Sequence, residues 1–170
     1  GALTIEELPF IKYSPYTEKL VALILALAAP GGGASKGAAD FKLPDVLQGK
    51  DYTLSQFRGK VVMLNFFTFF CAPCREEMPD LNKIYNEYKD KGLQTIGIAL
   101  SSDPTQIRFL VKQLGLDYPV LLGDDKISKA YGDVVVVPTT FIIDKQGNIA
   151  QTINGTRNKE DFVKMIKALL

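Results

Sequence analysis

Two cysteines separated by two residues, Cys71 and Cys74, constrain the fold of this chain more than any other feature, and they are its only two. The run VVMLNFF at 61–67 precedes them and is continuously apolar, like a strand buried on both faces of a parallel sheet. After the pair, apolar residues recur at helical spacing over 81–88, and Gly92 closes that pattern. The pair is therefore predicted to lie where a buried strand gives way to a helix.

The rest of the main domain alternates between strand and helix patterns. Further strands are predicted at 41–43, 50–53, 93–100, 118–121, 140–144 and 148–153. Further helices are predicted at 104–114, 126–131 and 159–170. The turn at 145–147 joins the last two strands as an antiparallel hairpin, so the sheet is mixed. The sequence thus predicts an α/β sandwich with the cysteine pair at the carboxyl ends of its parallel strands, where such folds place their sites.

The N-terminal part of the chain has a different composition. A Gly-rich linker over 31–39 divides an appendage over 1–30 from the main domain over 40–170. The apolar run LVALILALAA at 20–29 is too short to span a bilayer. Two interpretations of this run are open: an ordinary helix that begins near Ser14, or the apolar part of a signal-like segment.

The composition excludes several classes of function. The chain has no histidine, so neither a Ser-His-Asp nor a Cys-His catalytic site can form within it. Two cysteines without histidine also cannot close a zinc site alone, and we expect no metal and no cofactor. The net charge is only +1, with acidic and basic residues mixed along the chain, so nucleic-acid binding is not predicted.

The predicted position of the cysteine pair has chemical consequences. A helix N-terminus carries unpaired N–H groups and a partial positive charge, which stabilise a thiolate and lower its pKa below the free value of about 8.5. We expect the Cys71 sulfur to be open to solvent and the Cys74 sulfur to be buried in the first turn. The outer sulfur would then attack a substrate disulfide, and the inner one would resolve the mixed disulfide. Pro73 stiffens the turn between them.

Two structural interpretations compete with a redox function for the pair. A purely stabilising disulfide is disfavoured, because a bridge across two residues closes a very small loop and removes little entropy from the unfolded chain. A pair of reduced core thiols is disfavoured by location, because the charged residues Arg75, Glu76 and Glu77 follow directly.

The motifs around the pair resemble the thioredoxin superfamily, and more narrowly the TlpA/ResA-type thiol–disulfide oxidoreductases. The pair itself lies in CAPCREEMP at 71–79, after FRGKVVMLNFF at 57–67. VPTTFIIDKQGNI at 137–149 and an extra strand-helix element at about 101–131 also match. The resemblance covers about 40–170. It implies a thioredoxin-like sandwich with a mixed central sheet and this strand-helix insert, to which this chain is expected to add the N-terminal helical appendage.

The resemblance also implies a set of site residues. Pro138 matches the cis-proline of the family, which lies against the cysteine pair, and the Val137 backbone would pair with an extended substrate segment. An ordinary trans proline that opens a strand is the alternative for Pro138. Glu77 matches an acidic residue that assists proton transfer, with a solvated surface carboxylate as its alternative. The expected catalytic residues are Cys71, Cys74, Glu77 and Pro138, and the expected substrate-binding residues are Phe70, Ala72, Pro73 and Val137.

Two positions depart from the pattern of thioredoxins. Asn65 stands six residues before the first cysteine, where thioredoxins have a buried aspartate, although TlpA-type proteins commonly share the asparagine. An amide cannot accept a proton as a carboxylate does, so Glu77 or water must take that part. Phe70 stands where the family usually has tryptophan, and it keeps an apolar platform without the indole N–H.

The predicted function is exchange of the Cys71–Cys74 dithiol and disulfide with protein substrates through a mixed disulfide. By resemblance, the partner is apocytochrome c or another redox protein, and the enzyme is a monomer. The same resemblance implies an extracytoplasmic, periplasmic location in a bacterium, with a membrane tether as a further option and the cytoplasm as the alternative.

Two other functions use the same cysteines. A thiol peroxidase of the peroxiredoxin or glutathione-peroxidase type is favoured by Thr68, three residues before Cys71. It is disfavoured by Leu64, where a proline is expected, and because the chain has no cysteine outside the pair. A copper or zinc carrier would use both thiols, but the copper carriers of the superfamily add a histidine, which this chain lacks.

Overall fold

A five-stranded mixed sheet forms the centre of the structure, a computed structural model that describes residues 36–170. The order of strands across the sheet is β5 (Val120–Leu122), β4 (Leu93–Ala99), β3 (Val61–Phe67), β6 (Thr139–Ile143) and β7 (Ile149–Asn154). The first three run parallel, and β6 and β7 are antiparallel to their neighbours. A separate antiparallel pair consists of β1 (Lys42–Pro44) and β2 (Asp51–Thr53). The described residues thus confirm the predicted mixed sheet.

Four helices connect and cover these strands in the described part of the chain. They are α1 (Ala72–Tyr88), α2 (Pro104–Leu114), α3 (Asp125–Ala130) and α4 (Lys159–Lys167), with single 3-10 turns at Ser55–Phe57 and Lys89–Lys91. None of these helices combines the length and the apolar character needed to cross a bilayer. The predicted appendage over 1–30, including its helix or signal-like segment, lies outside the described residues. The proposed domain boundaries therefore remain a prediction.

Two apolar layers hold the helices against the sheet. Every residue of β3 and of β4 is buried, and alternate residues of each strand face opposite layers. Met63 and Phe67 on β3 pack in the layer that contains α1, α2 and α4. Leu64 and Phe66 pack in the opposite layer, with α3 and the β1–β2 pair. Since α1 starts directly after β3, its N-terminus lies at the carboxyl end of the sheet.

The ends of the elements follow local chemistry. The N-cap of helix α2 is Asp103, whose Oδ1 accepts hydrogen bonds from the backbone N–H groups of Thr105 and Gln106 at 2.8 and 3.1 Å. The helix ends at Gly115, which has the left-handed φ of 60° that glycine adopts without strain. The predicted strand at 118–121 starts only at Val120, because Pro119 has no N–H to add to the ladder.

Residues 36–38 pair with the turn of the β6–β7 hairpin. The Ala38 N–H donates to the Gly147 carbonyl oxygen at 2.9 Å, and the Ile149 N–H donates to the Lys36 carbonyl oxygen at 2.9 Å. These bonds attach the start of the described chain to the edge of the sheet.

Candidate active site

The two cysteines form a disulfide at the junction of β3 and α1, with their Cα atoms 5.3 Å apart. The Cys74 side chain is 1% exposed, whereas Cys71 is half-buried. The outer and inner positions expected from the sequence are therefore the positions that the structure gives these two residues. An outer sulfur can meet another protein, and an inner sulfur can react only with its neighbour.

The start of α1 places a backbone hydrogen-bond donor beside the outer sulfur. Cys71 is the N-cap residue, and the Cys74 backbone N–H donates to its Sγ at 3.2 Å. Pro73 occupies the first turn, where its missing N–H leaves no helical bond unmade. A thiolate at Cys71 would lie on the N–H groups and positive dipole end of a helix that is 17 residues long. This arrangement favours the ionised form of Cys71.

A loop from the far part of the chain closes over the pair. The peptide bond between Val137 and Pro138 is cis, and the Val137 carbonyl oxygen lies 3.7 Å from the Cys71 sulfur. The loop is fixed at both ends: the Thr139 hydroxyl donates to the Val136 carbonyl at 2.6 Å, and the Gly155 N–H donates to the Pro138 carbonyl at 2.8 Å. The structure thus brings Pro138 and Val137 together with Cys71, as the resemblance implies.

Glu77 lies one turn of α1 after Cys74 and is only 6% exposed. Its Oε1 accepts a hydrogen bond of 3.0 Å from the Arg157 backbone N–H. Burial raises the pKa of the Glu77 carboxyl above its usual value, while the Arg157 N–H, the nearby Asn65 amide and the Arg157 charge act in the lowering direction. Glu77 is therefore a buried carboxyl with an increased affinity for protons, and the alternative of a solvated surface residue is wrong.

Asn65 lies in the core beneath this carboxyl and is 1% exposed. Its Nδ2 donates a hydrogen bond of 2.9 Å to the Thr140 hydroxyl on the neighbouring strand β6. An asparagine here is neutral at every pH, so the buried carboxyl on the α1 side of the sheet is contributed by Glu77 instead.

An apolar rim surrounds the exposed side of the pair. The Phe70 ring is 77% exposed and packs edge-on against Phe69, with ring centroids 5.2 Å apart. The guanidinium of Arg75 lies 5.7 Å from the Phe69 ring centroid, and the Phe69 N–H donates to the Ser102 hydroxyl at 3.0 Å. Of the four phenylalanines at 66–70, Phe66 and Phe67 are core residues, and only Phe69 and Phe70 reach the rim. Ala72 and Pro73 are exposed beside them.

Three contributors to the site were not found from the sequence. Arg157 supplies the N–H that binds Glu77, Thr140 binds Asn65, and Ser102 fixes the backbone of Phe69. The cap of the following helix α2 is Asp103 and not Ser102. Periodicity carries no signal for such contacts, because the partners are far apart in sequence and meet only in the folded chain.

The two cysteines lie at a strand-helix corner of the mixed sheet, one outer and one inner, and the cis-proline loop lies against the outer one. This arrangement defines the class: the domain is a thiol–disulfide oxidoreductase of the thioredoxin fold. The sequence model of the Redoxin family matches residues 34–170. The chain belongs to this family.

Known proteins of the same kind are similar over most of their length. The thiol-disulfide oxidoreductase ResA of Bacillus cereus (strain ATCC 10987) is 38% identical over 135 residues, which are 79% of this chain and 77% of that protein. ResA of Geobacillus kaustophilus is 37% identical over 133 residues, 78% of this chain and 75% of that protein. A thiol:disulfide interchange protein of Chlorobium tepidum has a crystal structure that is 30% identical, with a TM-score of 0.75, covering 79% of this chain and 96% of that one.

Proposed function

We propose that Cys71 is the attacking thiol and Cys74 the resolving thiol in exchange with protein disulfides. The observation that carries this assignment is the donation of the Cys74 N–H to the Cys71 sulfur, at 3.2 Å, at the only helix start that holds a cysteine pair in the described residues. The donor lies where a thiolate would form, and thiolates rather than thiols attack disulfides.

The first half of the reaction uses the outer sulfur. The Cys71 thiolate attacks one sulfur of a substrate disulfide, a new S–S bond forms between protein and substrate, and the substrate S–S bond breaks. The second substrate sulfur leaves as a thiolate and takes up a proton. The Val137 carbonyl, 3.7 Å from the Cys71 sulfur, lies where an extended substrate segment would hydrogen-bond to it.

The second half uses the buried residues. The Cys74 thiol loses its proton to the Glu77 carboxylate one turn further along α1, and its sulfur then attacks the sulfur of Cys71. The Cys71–Cys74 disulfide forms, and the mixed disulfide breaks. The remaining substrate thiolate takes up a proton and leaves. Overall, two electrons pass from the protein dithiol to the substrate disulfide, and the reverse sequence oxidises a substrate dithiol.

The rim and an adjoining groove fit an extended polypeptide. Phe70, Ala72 and Pro73 present an exposed, mostly apolar surface on one side of the sulfur. A groove of about 620 Å³ is lined by Ser101, Val135 and Val137, among other residues. We assign the apolar rim to the residues next to the substrate cysteine and the groove to the chain that continues from it.

A partner must present its cysteines in an unfolded or flexible segment. Apocytochrome c, the candidate that the resemblance implies, meets this condition, since the C-x-x-C-H segments that receive haem hold two cysteines at the same spacing. Both reacting cysteines belong to one chain, so a monomer suffices. An extracytoplasmic compartment fits an enzyme whose pair forms a disulfide. The N-terminal appendage is a candidate for a membrane tether and lies outside the described residues.

The test separates exchange from peroxide chemistry with a single preparation. The reduced protein is mixed with a small disulfide, with a scrambled protein disulfide and with hydrogen peroxide, and the Cys71–Cys74 dithiol is followed by mass spectrometry. Rapid oxidation by the disulfides and slow reaction with peroxide are expected. Rapid peroxide turnover with a sulfenate at Cys71 would instead assign the chain to the peroxidases.

A further inference from the structure

Three buried side-chain oxygens lack a hydrogen-bond partner among the protein atoms of residues 36–170. They are Oε2 of Glu77, Oγ1 of Thr95 and the hydroxyl oxygen of Tyr118. Buried polar groups are almost always paired, either with protein or with internal water, so each of these atoms requires a partner.

All three atoms belong to the same layer of the structure. Asn65 on β3 is the register partner of Gly97 on β4, and Thr95 lies two residues before Gly97 on the same face of the sheet. The Tyr118 ring packs on Gly97: its Cε2 is 3.4 Å from the point where a Cβ of Gly97 would be. A glycine at this position therefore leaves room for the tyrosine ring beside Asn65, in the layer that α1 covers.

Glu77 reaches the same place from α1. A hydrogen bond from the Asn65 amide acts to lower the pKa of the Glu77 carboxyl. Tyr118 packs on Gly97, which is the register partner of Asn65. The pKa of the Tyr118 phenol is raised mainly by burial and, to a lesser extent, by the negative charge of Glu77. The Tyr118 hydroxyl therefore keeps its proton and is available as a hydrogen-bond donor.

We propose that a buried water molecule links the Tyr118 hydroxyl to Oε2 of Glu77, which makes Tyr118 a positioning residue for the proton transfer at Glu77. The Thr95 hydroxyl is the third partner, and two to four polar partners are what an internal water normally has. The Tyr118 hydroxyl donates to the water, and the water donates to the carboxylate. The inference rests on the proposed role of Glu77 in accepting the proton of Cys74.

The charged and titratable groups that face Glu77 come from several elements. Arg157 approaches from the segment between β7 and α4, Asp80 lies on α1 itself, and Tyr118 comes from the segment before β5. In the reduced enzyme the Cys74 thiol is added to them. Replacing Tyr118 with phenylalanine removes one oxygen and leaves all the other groups in place.

The test measures the Glu77 carboxyl directly by NMR titration of ¹³C-labelled glutamate in the oxidised protein. The pKa of Glu77 should be higher in Tyr118→Phe than in the wild type by about one unit, a tenfold change in proton affinity, because a donor to the charged form is lost. Thr95→Val, which removes the third partner while conserving shape, should move it in the same direction by less.

The matched control is Tyr131→Phe. Tyr131 is also a buried tyrosine, but it packs in the layer on the opposite face of the sheet, and its hydroxyl donates to the Ala39 carbonyl at 2.7 Å. The Tyr131→Phe substitution also removes one tyrosine hydroxyl, but it leaves the layer that holds Glu77 unchanged. The Glu77 titration of this variant should match that of the wild type, and an equal shift in both tyrosine variants would overturn the inference.

A kinetic readout then separates the inference from the function on which it rests. In Tyr118→Phe, the pH profile of the rate at which Cys74 resolves a mixed disulfide should move to higher pH. In a Glu77→Gln background, the same substitution should leave this profile unchanged. A Glu77 pKa that is unchanged in Tyr118→Phe contradicts the water link even if exchange is normal. A Glu77→Gln variant with a wild-type rate contradicts the role of Glu77, whatever the titration shows.

Discussion

The sulfur of Cys71 lies 3.7 Å from the carbonyl oxygen of Val137, a residue that belongs to a different part of the chain. This contact joins the two halves of the active site: the start of α1, which we propose stabilises a thiolate, and the cis-proline loop, which we propose offers backbone to a substrate. A substrate that hydrogen-bonds to Val137 would have its own sulfur beside Cys71, which is the geometry that attack on a disulfide needs.

The division of labour between the cysteines is tested by serine variants. Cys71→Ser should lose exchange activity, because the only accessible thiol is gone, whereas Cys74→Ser should accumulate mixed disulfides with its substrates. Intact-protein mass spectrometry after incubation with a disulfide-containing peptide distinguishes the two. Peptide adducts on the Cys71→Ser protein, or none on Cys74→Ser, would reverse the assignment.

Glu77→Gln tests the proton acceptor. The glutamine retains an oxygen for the Arg157 N–H but cannot accept a proton, so resolution by Cys74 should slow by about a hundredfold near neutral pH. The first step, attack by Cys71, should be affected much less. Single-turnover kinetics separate the two steps. Glu76→Gln is the control, since Glu76 is the exposed neighbour on the same helix turn.

The stability of the folded protein should respond to the same carboxyl. Because burial raises the pKa of Glu77 in the folded state, its protonated form is favoured there, and the associated stability is present below the unfolded value of 4.5 and is lost as pH rises through the folded pKa. Glu77→Gln removes the buried charge. The variant should therefore gain stability relative to the wild type between about pH 4 and about pH 7 in urea denaturation of the oxidised proteins. A constant difference across this range would contradict the pKa shift.

The apolar rim predicts a change in substrate preference. Phe70→Ser removes a ring that is 77% exposed, so stability should change by no more than about 0.5 kcal/mol. The KM for a protein disulfide should rise, while the rate with a small disulfide should stay the same. Leu47→Ser is the matched control, since Leu47 is 45% exposed and lies between β1 and β2. Equal effects on both kinds of substrate would exclude docking at Phe70.

A purely structural prediction concerns Asp103. Its side chain caps α2 by accepting two backbone N–H groups, so Asp103→Ala should destabilise the fold by about 1 kcal/mol and leave exchange unaffected. Chemical denaturation of the variant measures this directly. Asp90→Ala, at an exposed position with no capping hydrogen bond of this kind, should be neutral.

Much of the fold could be predicted because the pattern of apolar residues and the capping residues mark its strands and helices clearly. The wholly apolar run over β3 admits little other than a buried strand, and Gly115 and Asp103 mark the ends of α2 by chemistry that is local to the chain. The positions of Cys71 and Cys74 followed in the same way, since a strand that ends at Phe67 and a helix that starts after it fix which sulfur faces outward.

The sequence carries two opposing signals for the burial of Glu77. The charged run Arg75-Glu76-Glu77 favours a solvated face, yet Glu77 lies three residues after Cys74, and such residues share a face of a helix. Tyr118 and Arg157 carried no comparable signal. Arg157 binds Glu77, and the charge of Glu77 acts on Tyr118, only because segments far apart in sequence come together in the fold, and neither interaction alters the local pattern around these residues.

The central claim is that the outer sulfur is ionised and accessible near neutral pH while the inner one is protected, and alkylation kinetics of the reduced protein test it most directly. The rate of iodoacetamide modification of Cys71, followed against pH, should report a pKa below the free-thiol value of about 8.5, with Cys74 reacting far more slowly. A Cys71 that titrates like free cysteine, or that reacts no faster than Cys74, would contradict the account.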